Sequence, residues 1–185
     1  MKKEISKLIT GIYKSIRNLS SSYDDIECAL GLLEKARENN NTVYVCGNGG
    51  SASTSTHLVC DLSKTAKIKS VCLNDNIALN SALINDIGWE HIYKYMLEQQ
   101  GKSGDVLIVI STFGAEGYGN HSSNLRNVIN YANENGISTI GFSGGNGGYF
   151  KHCKCNIIVR SSSIPVIESA HSALAHIIPF TLGEI

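Results

Sequence analysis

Apolar residues in the first 40 positions recur at the spacing of an α-helix. From Ile5 to Leu19 they come every three or four residues and end at a run of three serines, which predicts one amphipathic helix. A second helix is predicted over residues 24–38, because the same spacing resumes there. Both helices precede the first predicted strand. We therefore expect residues 1–40 to form a helical arm that packs on another subunit.

From residue 41 onward, short apolar runs alternate with helical segments. Runs of this kind are typical of parallel strands that are buried on both faces of a sheet. The pattern predicts an α/β fold with one doubly wound, five-stranded parallel sheet flanked by helices, and we take residues 1–185 as a single domain with residues 41–185 as its core. The predicted strands are Thr42–Cys46, Ser70–Leu73, Val106–Ser111, Ser138–Phe142 and Asn156–Val159.

Composition supports one domain and excludes several classes of partner. The chain has 185 residues, 42% of them hydrophobic, which is enough for one substantial core. Its 16 basic residues balance 16 acidic ones without a Lys/Arg-rich run, so we expect neither a nucleic acid nor a membrane as partner. No apolar run reaches the roughly 18 residues of a membrane span, and the first residues lack a signal-peptide core. We expect a cytoplasmic protein.

The cysteines lack the C-x-x-C spacing of a structural zinc site. We therefore expect reduced thiols, most of them buried, with a structural role for the one close pair. The six cysteines are Cys28, Cys46, Cys60, Cys72, Cys153 and Cys155.

The first predicted strand runs directly into a glycine-rich turn, Gly47–Ser51, which opens a helix. Glycines let a ligand approach the backbone closely, and the helix start presents free N–H groups with a positive dipole end. A phosphate is the expected ligand, and a tight turn without a ligand is the alternative. The turn lacks the Lys-Ser/Thr ending of a nucleotide P-loop and the G-x-G-x-x-G spacing of a dinucleotide fold, which disfavours ATP and NAD.

Two further predicted strands end in hydroxyl and glycine residues, at Ser111–Thr112 and Ser143–Gly148. In an open parallel sheet, ligands bind beyond the carboxyl ends of the strands. Three such strand ends together can surround a phosphate without a lysine.

In this order, four segments resemble the motifs of sugar isomerase (SIS) domains: Gly47–Ser51, Asn85–Gly88, Gly104–Thr112 and Ser143–Gly148. The resemblance covers nearly the whole chain. Among SIS domains, the resemblance is to the bacterial phosphoheptose isomerases in particular. It implies an aldose–ketose isomerase that converts sedoheptulose 7-phosphate to D-glycero-D-manno-heptose 7-phosphate, the first step towards bacterial heptose precursors of lipopolysaccharide and capsule. It also implies a homotetramer with active sites at subunit interfaces, and zinc or another divalent metal, one per subunit.

The resemblance also assigns roles to individual residues. Asp61 and His176 are the implied acid/base pair, which moves a proton between two adjacent carbons through an enediolate. The implied metal ligands are His57, Asp61, Glu168 and His176. The implied substrate-binding residues are Asn48, Gly49, Gly50, Ser51, Asp86, Ser111, Thr112, Ser123 and Glu168.

The spacing of these residues limits how they can meet. His57 and Asp61 are four apart, so on a helix they share a face and suit one metal, a carboxylate that orients an imidazole, or a plain surface pair. His171 and His176 lie about 140° apart on a helix, so His171 is expected to be structural or at an interface. Glu168 and His176 would be about 12 Å apart on a straight helix. Either Glu168 precedes the regular helix, or a bend or a second subunit brings the two together.

The chain departs from the family pattern at four places. Asp61 replaces the usual Glu and Glu168 the usual Gln, which makes the candidate metal site more anionic, and Pro165 replaces an Asp. Phe113 replaces a phosphate-binding serine and opens an insertion that runs to residue 122. Ser122 or Ser123 is expected to supply the final serine, and Glu116, Tyr118 and His121 bear on sugar specificity or form a solvated loop tip.

These departures keep two other functions open. One is isomerisation of a different phosphosugar. The other is a non-catalytic SIS domain that binds a phosphosugar or docks on a protein.

Overall fold

The computed structural model describes residues 1–116 and 121–184. Its α-helices are α1 (Lys2–Arg17), α2 (Tyr23–Glu38), α3 (Gly50–Lys64), α4 (Ile77–Ile87), α5 (Ile92–Gln100), α6 (Ser123–Glu134) and α7 (Ile164–Glu184). Its strands are β1 (Val43–Gly47), β2 (Ser70–Cys72), β3 (Val106–Ser111), β4 (Ser138–Gly144) and β5 (Cys155–Val159). Short 3-10 helices cover Asn18–Ser22, Trp89–His91 and Gly148–His152.

The five strands form one parallel sheet in the order β2-β1-β3-β4-β5. The predicted fold class is therefore confirmed. The chain moves outward in one direction from β1 to β2 and in the other from β3 to β5, so the order reverses between β1 and β3. Crevices at such a reversal are where open α/β sheets bind ligands.

Helices cover both faces of the sheet, because successive strand residues point to opposite sides. Val43 and Val45 of β1 join a core with α2, α3 and α7. Tyr44 and Cys46 join the opposite core with α4, α5 and α6. All five residues of β1 are buried, as expected for a strand inside a two-faced sheet.

Helix α1 lies against α7 along a narrow seam. A Cβ built on Gly11 would lie 3.1 Å from Val166 Cγ2, so glycine permits the close approach. On the rest of the helix, apolar side chains such as Ile5, Ile9 and Tyr13 are 53%, 62% and 64% exposed. The predicted arm is therefore a helix with much apolar surface outside the domain core. Its packing on another subunit stays a prediction.

Two local expectations need correction. The serine run after α1 is not a break, because the 3-10 helix at Asn18–Ser22 leads directly into α2. The six thiols are all free, but only Cys46, Cys72 and Cys155 are buried, and Cys60 is exposed. Burial raises the pKa of the Cys46 thiol well above its usual value, so that thiol stays protonated. Within the described residues, none of the helices is long and apolar enough to cross a membrane.

Candidate functional site

The three strand ends singled out by the sequence lie side by side. β1, β3 and β4 are neighbours, with Gly47 beside Ile110 and Ser111 beside Ser143. Their loops therefore converge at one edge of the sheet. The loop after β3 also packs on the loop after β4, since the Tyr149 N–H donates to the Gly114 carbonyl at 2.8 Å.

The glycine turn is tight and depends on its glycines. Gly49 has φ +58°, a left-handed conformation that favours glycine. A Cβ on Gly47 would lie 2.8 Å from the Ser51 Cβ, so the chain folds closely back on itself there. α3 starts at Gly50, and the N–H groups of Ser51 and Ala52 donate to the Asn48 and Gly49 carbonyls of the turn, both at 3.0 Å. A glycine turn before a helix start favours an anion through the helix dipole, and binding of a phosphate at this turn stays a prediction.

A carboxylate already lies at this helix start. A Cβ on Gly50 would lie 2.8 Å from Glu168 Cδ, so the Glu168 side chain covers the position that any other residue would fill. Glu168 is half-buried on α7. Its negative charge complements the positive end of the α3 dipole. A phosphate bound at the turn would therefore lie beside this carboxylate.

The β3 side of the site contains the predicted hydroxyl residues. Ser111 ends β3, and its Oγ accepts a hydrogen bond from the Ala115 N–H at 3.2 Å. Ser123 is buried at the first turn of α6. Phe113 is 45% exposed. Ser111 pairs with Ser143, Thr112 lies against Gly144 of β4, and the bonds between Asn124 and Asn48 bring the start of α6, with Ser123, to the β1 turn.

The insertion between β3 and α6 is tied at its described ends. Arg126 Nη1 donates to the Ala115 carbonyl at 3.1 Å and to the His121 carbonyl at 3.3 Å. Glu116 and His121 are the described residues on either side of residues 117–120. Tyr118 lies outside the described residues.

Asn48 at the turn is paired with a residue that the sequence analysis missed. Asn48 Nδ2 donates to Asn124 Oδ1 at 3.1 Å, and Asn124 Nδ2 donates back to Asn48 Oδ1 at 2.9 Å. Asn124 is fully buried in the first turn of α6. A polar residue at a predicted helix start next to a strand-end loop is the signal that would have found it.

Asp86 stands apart from these residues. It is exposed near the end of α4, and its Oδ1 accepts from Asn85 Nδ2 at 2.9 Å. Its implied role as a substrate-binding residue, by contact with the sugar or by ordering the pocket, stays a prediction.

His57, Asp61 and His176 form a compact triangle between α3 and α7. Asp61 Oδ2 lies 3.0 Å from His176 Nδ1 and 3.3 Å from His57 Nε2, and these two nitrogens are 3.4 Å apart. Asp61 is buried, whereas the side chains of His57 and His176 are 46% and 58% exposed. The cluster opens to solvent on the outer side of the helix layer.

The triangle fits a divalent metal. Zinc bonds of about 2.05 Å at tetrahedral angles separate ligand atoms by about 3.3 Å, which matches the three distances between these atoms. Two imidazoles and one carboxylate also leave a fourth position open, as in catalytic zinc sites. His57 Nε2, Asp61 Oδ2 and His176 Nδ1 could hold such an ion.

Glu168 does not join this group within the described residues. α7 begins at Ile164 and continues past His176, so the idea that Glu168 precedes the regular helix is wrong. Of the two prolines in α7, Pro165 lies in the first turn before Glu168 and Pro179 follows His176, so neither lies between the two residues. Helical side chains lean towards the N-terminus, which directs the Glu168 carboxylate towards Gly50 and away from His176.

α3 and α7 run parallel, which sets the distance between the two parts of the site. Glu168 lies beside Gly50, His176 beside Asp61, and Gly183 beside Thr65. His57 lies seven positions after Gly50 on α3, which is a rise of about 10 Å along the helix. The glycine turn and the His–Asp–His cluster therefore lie at two positions along the contact between α3 and α7.

His171 belongs to the core. It is 1% exposed, and its Nε2 lies 3.2 Å from the Ser143 carbonyl oxygen. Burial lowers the pKa of His171 to about 4, so the imidazole is neutral at pH 7. This placement agrees with the structural role expected for it.

Comparison with known proteins places this geometry in a family. The SIS domain family matches residues 8–144 of the chain. The phosphoheptose isomerase of Rhodospirillum rubrum is 33% identical over 156 residues, which cover 81% of this chain and 80% of that protein. The phosphoheptose isomerase of Helicobacter pylori is 30% identical over 184 residues, covering 96% and 91%.

Solved structures agree on the fold. The phosphoheptose isomerase of Neisseria gonorrhoeae superposes with a TM-score of 0.90 at 22% identity, over 100% of this chain and 99% of that one. The chain belongs to the SIS domain family and is similar to phosphoheptose isomerases over most of its length.

Proposed function

We propose that this protein is an aldose–ketose isomerase that converts sedoheptulose 7-phosphate to D-glycero-D-manno-heptose 7-phosphate. The observation that carries the proposal is the His57–Asp61–His176 triangle. Isomerisation needs an acid, a base and stabilisation of an oxyanion, and the triangle supplies titratable groups and a metal-binding geometry. The similarity to phosphoheptose isomerases supports the choice of substrate.

The seam between α3 and α7 suits a substrate with its phosphate at one end and its carbonyl at the other. The phosphate would bind at Ser51 and the Ser111–Thr112 segment, with Ser123 behind it. About 10 Å along α3, the reacting carbons would lie near His57 and Asp61. A divalent ion, zinc or another, would polarise the substrate carbonyl when bound.

Proton transfer falls to Asp61 and His176. Asp61 is buried and fixes the His176 ring through Nδ1 at 3.0 Å. The ring is 58% exposed, which leaves Nε2 accessible from the open side of the cluster. A carboxylate that accepts the Nδ1 proton sets the tautomer and orientation of the imidazole and leaves Nε2 as the nitrogen that exchanges a proton. Nδ1 cannot donate to Asp61 and bind an ion at the same time, so proton exchange by His176 and metal binding through its Nδ1 are alternative roles. His176 is therefore the group proposed to exchange a proton with the substrate carbons.

The assembly is proposed to be a homotetramer with active sites at subunit interfaces. The exposed apolar residues of α1, including Ile5, Ile9 and Tyr13, support association through the arm. The exposed His57 and His176 are open to a partner. Measurement of the solution mass tests this point, because a stable monomer contradicts a shared site.

The test is turnover of sedoheptulose 7-phosphate by the purified protein, with and without chelator, followed by formation of the aldose phosphate. We expect turnover that zinc restores after chelation. His176→Ala should abolish turnover and leave phosphate binding intact. Absence of turnover in wild-type protein with added zinc contradicts the proposal.

A second candidate is isomerisation of another phosphosugar. Glu168 at the glycine turn and the exposed Phe113 change the charge and shape of the predicted pocket. Turnover of a pentose or hexose phosphate at a higher kcat/KM than the heptose phosphate would select this candidate.

A further inference from the structure

Four polar side chains from four segments form one hydrogen-bonded chain at the carboxyl ends of β1 and β3. They are Asn74 after β2, Tyr93 on α5, Asn48 in the glycine turn and Asn124 on α6. This row of hydrogen-bonded side chains spans the point between β1 and β3 where the strand order reverses. The two sides of the candidate phosphate site meet at the same point.

Asn74 extends the pairing of β1 and β2 beyond the end of the backbone ladder. The last backbone bond runs from the Leu73 N–H to the Val45 carbonyl at 2.9 Å. Asn74 Nδ2 then donates to the Gly47 carbonyl at 2.9 Å, and the Gly47 N–H donates to Asn74 Oδ1 at 3.3 Å. Both polar groups of Gly47 are thus held by one side chain.

Tyr93 links the Asn74–Gly47 hydrogen bonds to Asn48 in the glycine turn. Its hydroxyl donates to the Gly47 carbonyl at 2.8 Å, lies 3.2 Å from Asn48 Oδ1, and accepts from Asn74 Nδ2 at 2.7 Å. Tyr93 is 1% exposed, and burial raises the pKa of its hydroxyl well above the usual value near 10. The hydroxyl is therefore a permanent donor to the turn.

The reciprocal bonds between Asn48 and Asn124 complete the chain. They use Asn48 Oδ1 and one of its two Nδ2 hydrogens, so one N–H is left for a ligand. Asn124 Oδ1 also accepts from the Leu125 N–H at 2.9 Å, which anchors the pair to the first turn of α6. A shift of the glycine turn would break these bonds and leave the fully buried Asn124 amide without its Asn48 partner, which is costly.

We propose that Tyr93 and Asn124 are positioning residues that hold the glycine turn and the start of α6 at a fixed separation. Both sides of the phosphate site are then in place before the ligand binds. The inference rests on the proposed function in taking these two segments as the phosphate site. Preorganisation of this kind lowers the cost of ordering the site on binding.

Tyr93→Phe and Asn124→Ala test the proposal, each with a matched control. Tyr44→Phe removes another buried hydroxyl, which donates to the Gln100 carbonyl at 2.8 Å. Asn127→Ala removes another α6 amide, which donates to the Glu90 carbonyl at 2.9 Å. Neither control touches the glycine turn.

Binding of inorganic phosphate and of sedoheptulose 7-phosphate is measured by calorimetry, alongside Tm, KM and kcat. The dissociation constants should rise about 5- to 100-fold in the two test variants, the range expected for loss of a buried hydrogen bond. KM should rise with them and kcat should change little, because the chemical groups are untouched. Each test variant is compared with a control whose Tm falls by a similar amount. Equal dissociation constants for both ligands in the test variant and its control would overturn the proposal.

A double-mutant cycle on positions 48 and 124 shows whether Asn124 acts through Asn48. If it does, the double alanine variant binds phosphate no more weakly than the poorer of Asn48→Ala and Asn124→Ala. Additive losses would show independent roles and contradict a positioning role for Asn124.

The outcomes separate this inference from the proposed function. Wild-type protein that binds phosphate and turns over no phosphosugar contradicts the isomerase alone, and the comparison of variants on phosphate still decides the inference. Wild-type protein that binds neither phosphate nor the sugar phosphate overturns the inference.

Discussion

Replacing Glu168 with glutamine should strengthen phosphate binding at the glycine turn. The carboxylate lies against Gly50 at the start of α3, where the positive end of the helix dipole is expected to hold the phosphate. The substitution keeps the shape of the side chain and removes its charge. It therefore isolates the electrostatic effect of a carboxylate beside the ligand.

The expected magnitude follows from the position of the charge. Two unit charges about 5 Å apart repel by about 3 kcal/mol at an effective dielectric constant of about 20, and by less where solvent reaches them. Glu168 is half-buried, so a gain of about 1–2 kcal/mol is expected, or roughly 5- to 30-fold in affinity. Loss of the favourable contact with the helix dipole should cost about 0.3–1 kcal/mol of folding stability.

Calorimetry with inorganic phosphate at low and high salt provides the assay, with urea unfolding for stability. Glu98→Gln is the control, because Glu98 is exposed on α5 and pairs with Lys94 on the opposite face of the sheet. The gain in affinity should shrink with salt. Unchanged or weaker phosphate binding by Glu168→Gln would refute the reasoning and place the phosphate away from the α3 start.

Three further outcomes are expected from local geometry. Gly50→Ala should displace the Glu168 carboxylate and change stability by less than about 1 kcal/mol in urea unfolding, because its Cβ overlaps only the mobile end of that side chain and alanine favours the helix; a loss of several kcal/mol would contradict this. Stability should fall by up to about 3 kcal/mol as pH drops from 6.5 to 4, because the pKa of His171 is lowered to about 4 and the unfolded chain takes up the proton first. A flat pH profile of the unfolding free energy contradicts this, and His171→Leu should remove this contribution to the pH dependence. Asp61→Ala should reduce zinc retained after dialysis by at least tenfold, measured by elemental analysis, and full retention would exclude Asp61 as a ligand.

The sheet could be predicted because each strand is a continuous apolar run bounded by polar or glycine residues. Such runs alternating with helical segments are typical of a parallel sheet covered on both faces, and the structure has this sheet. The pairing of β1 with both β2 and β3 could not be read from apolarity, since any buried strand suits either neighbour. The convergence of Gly47, Ser111 and Ser143 at one edge follows from that pairing.

Some residues of the candidate site could likewise be placed from the sequence, and others could not. His57 and Asp61 could be placed together because they are four residues apart on one helix. The approach of His176 depends on the parallel packing of α3 and α7, which no local pattern encodes. Tyr93 and Asn124 were missed because each acts through contacts to a distant turn. Glu168 was expected near His176, but its position on α7 directs it to Gly50.

Isomerisation in deuterium oxide tests the central claim most directly. Proton transfer through an enediolate exchanges the migrating hydrogen with solvent, so the aldose phosphate formed by wild-type protein should carry deuterium at C2 when observed by NMR. His176→Ala should form no deuterated product and should still bind phosphate. Product formation by His176→Ala at the wild-type rate, or absence of deuterated product with zinc-loaded wild-type protein, would contradict the account.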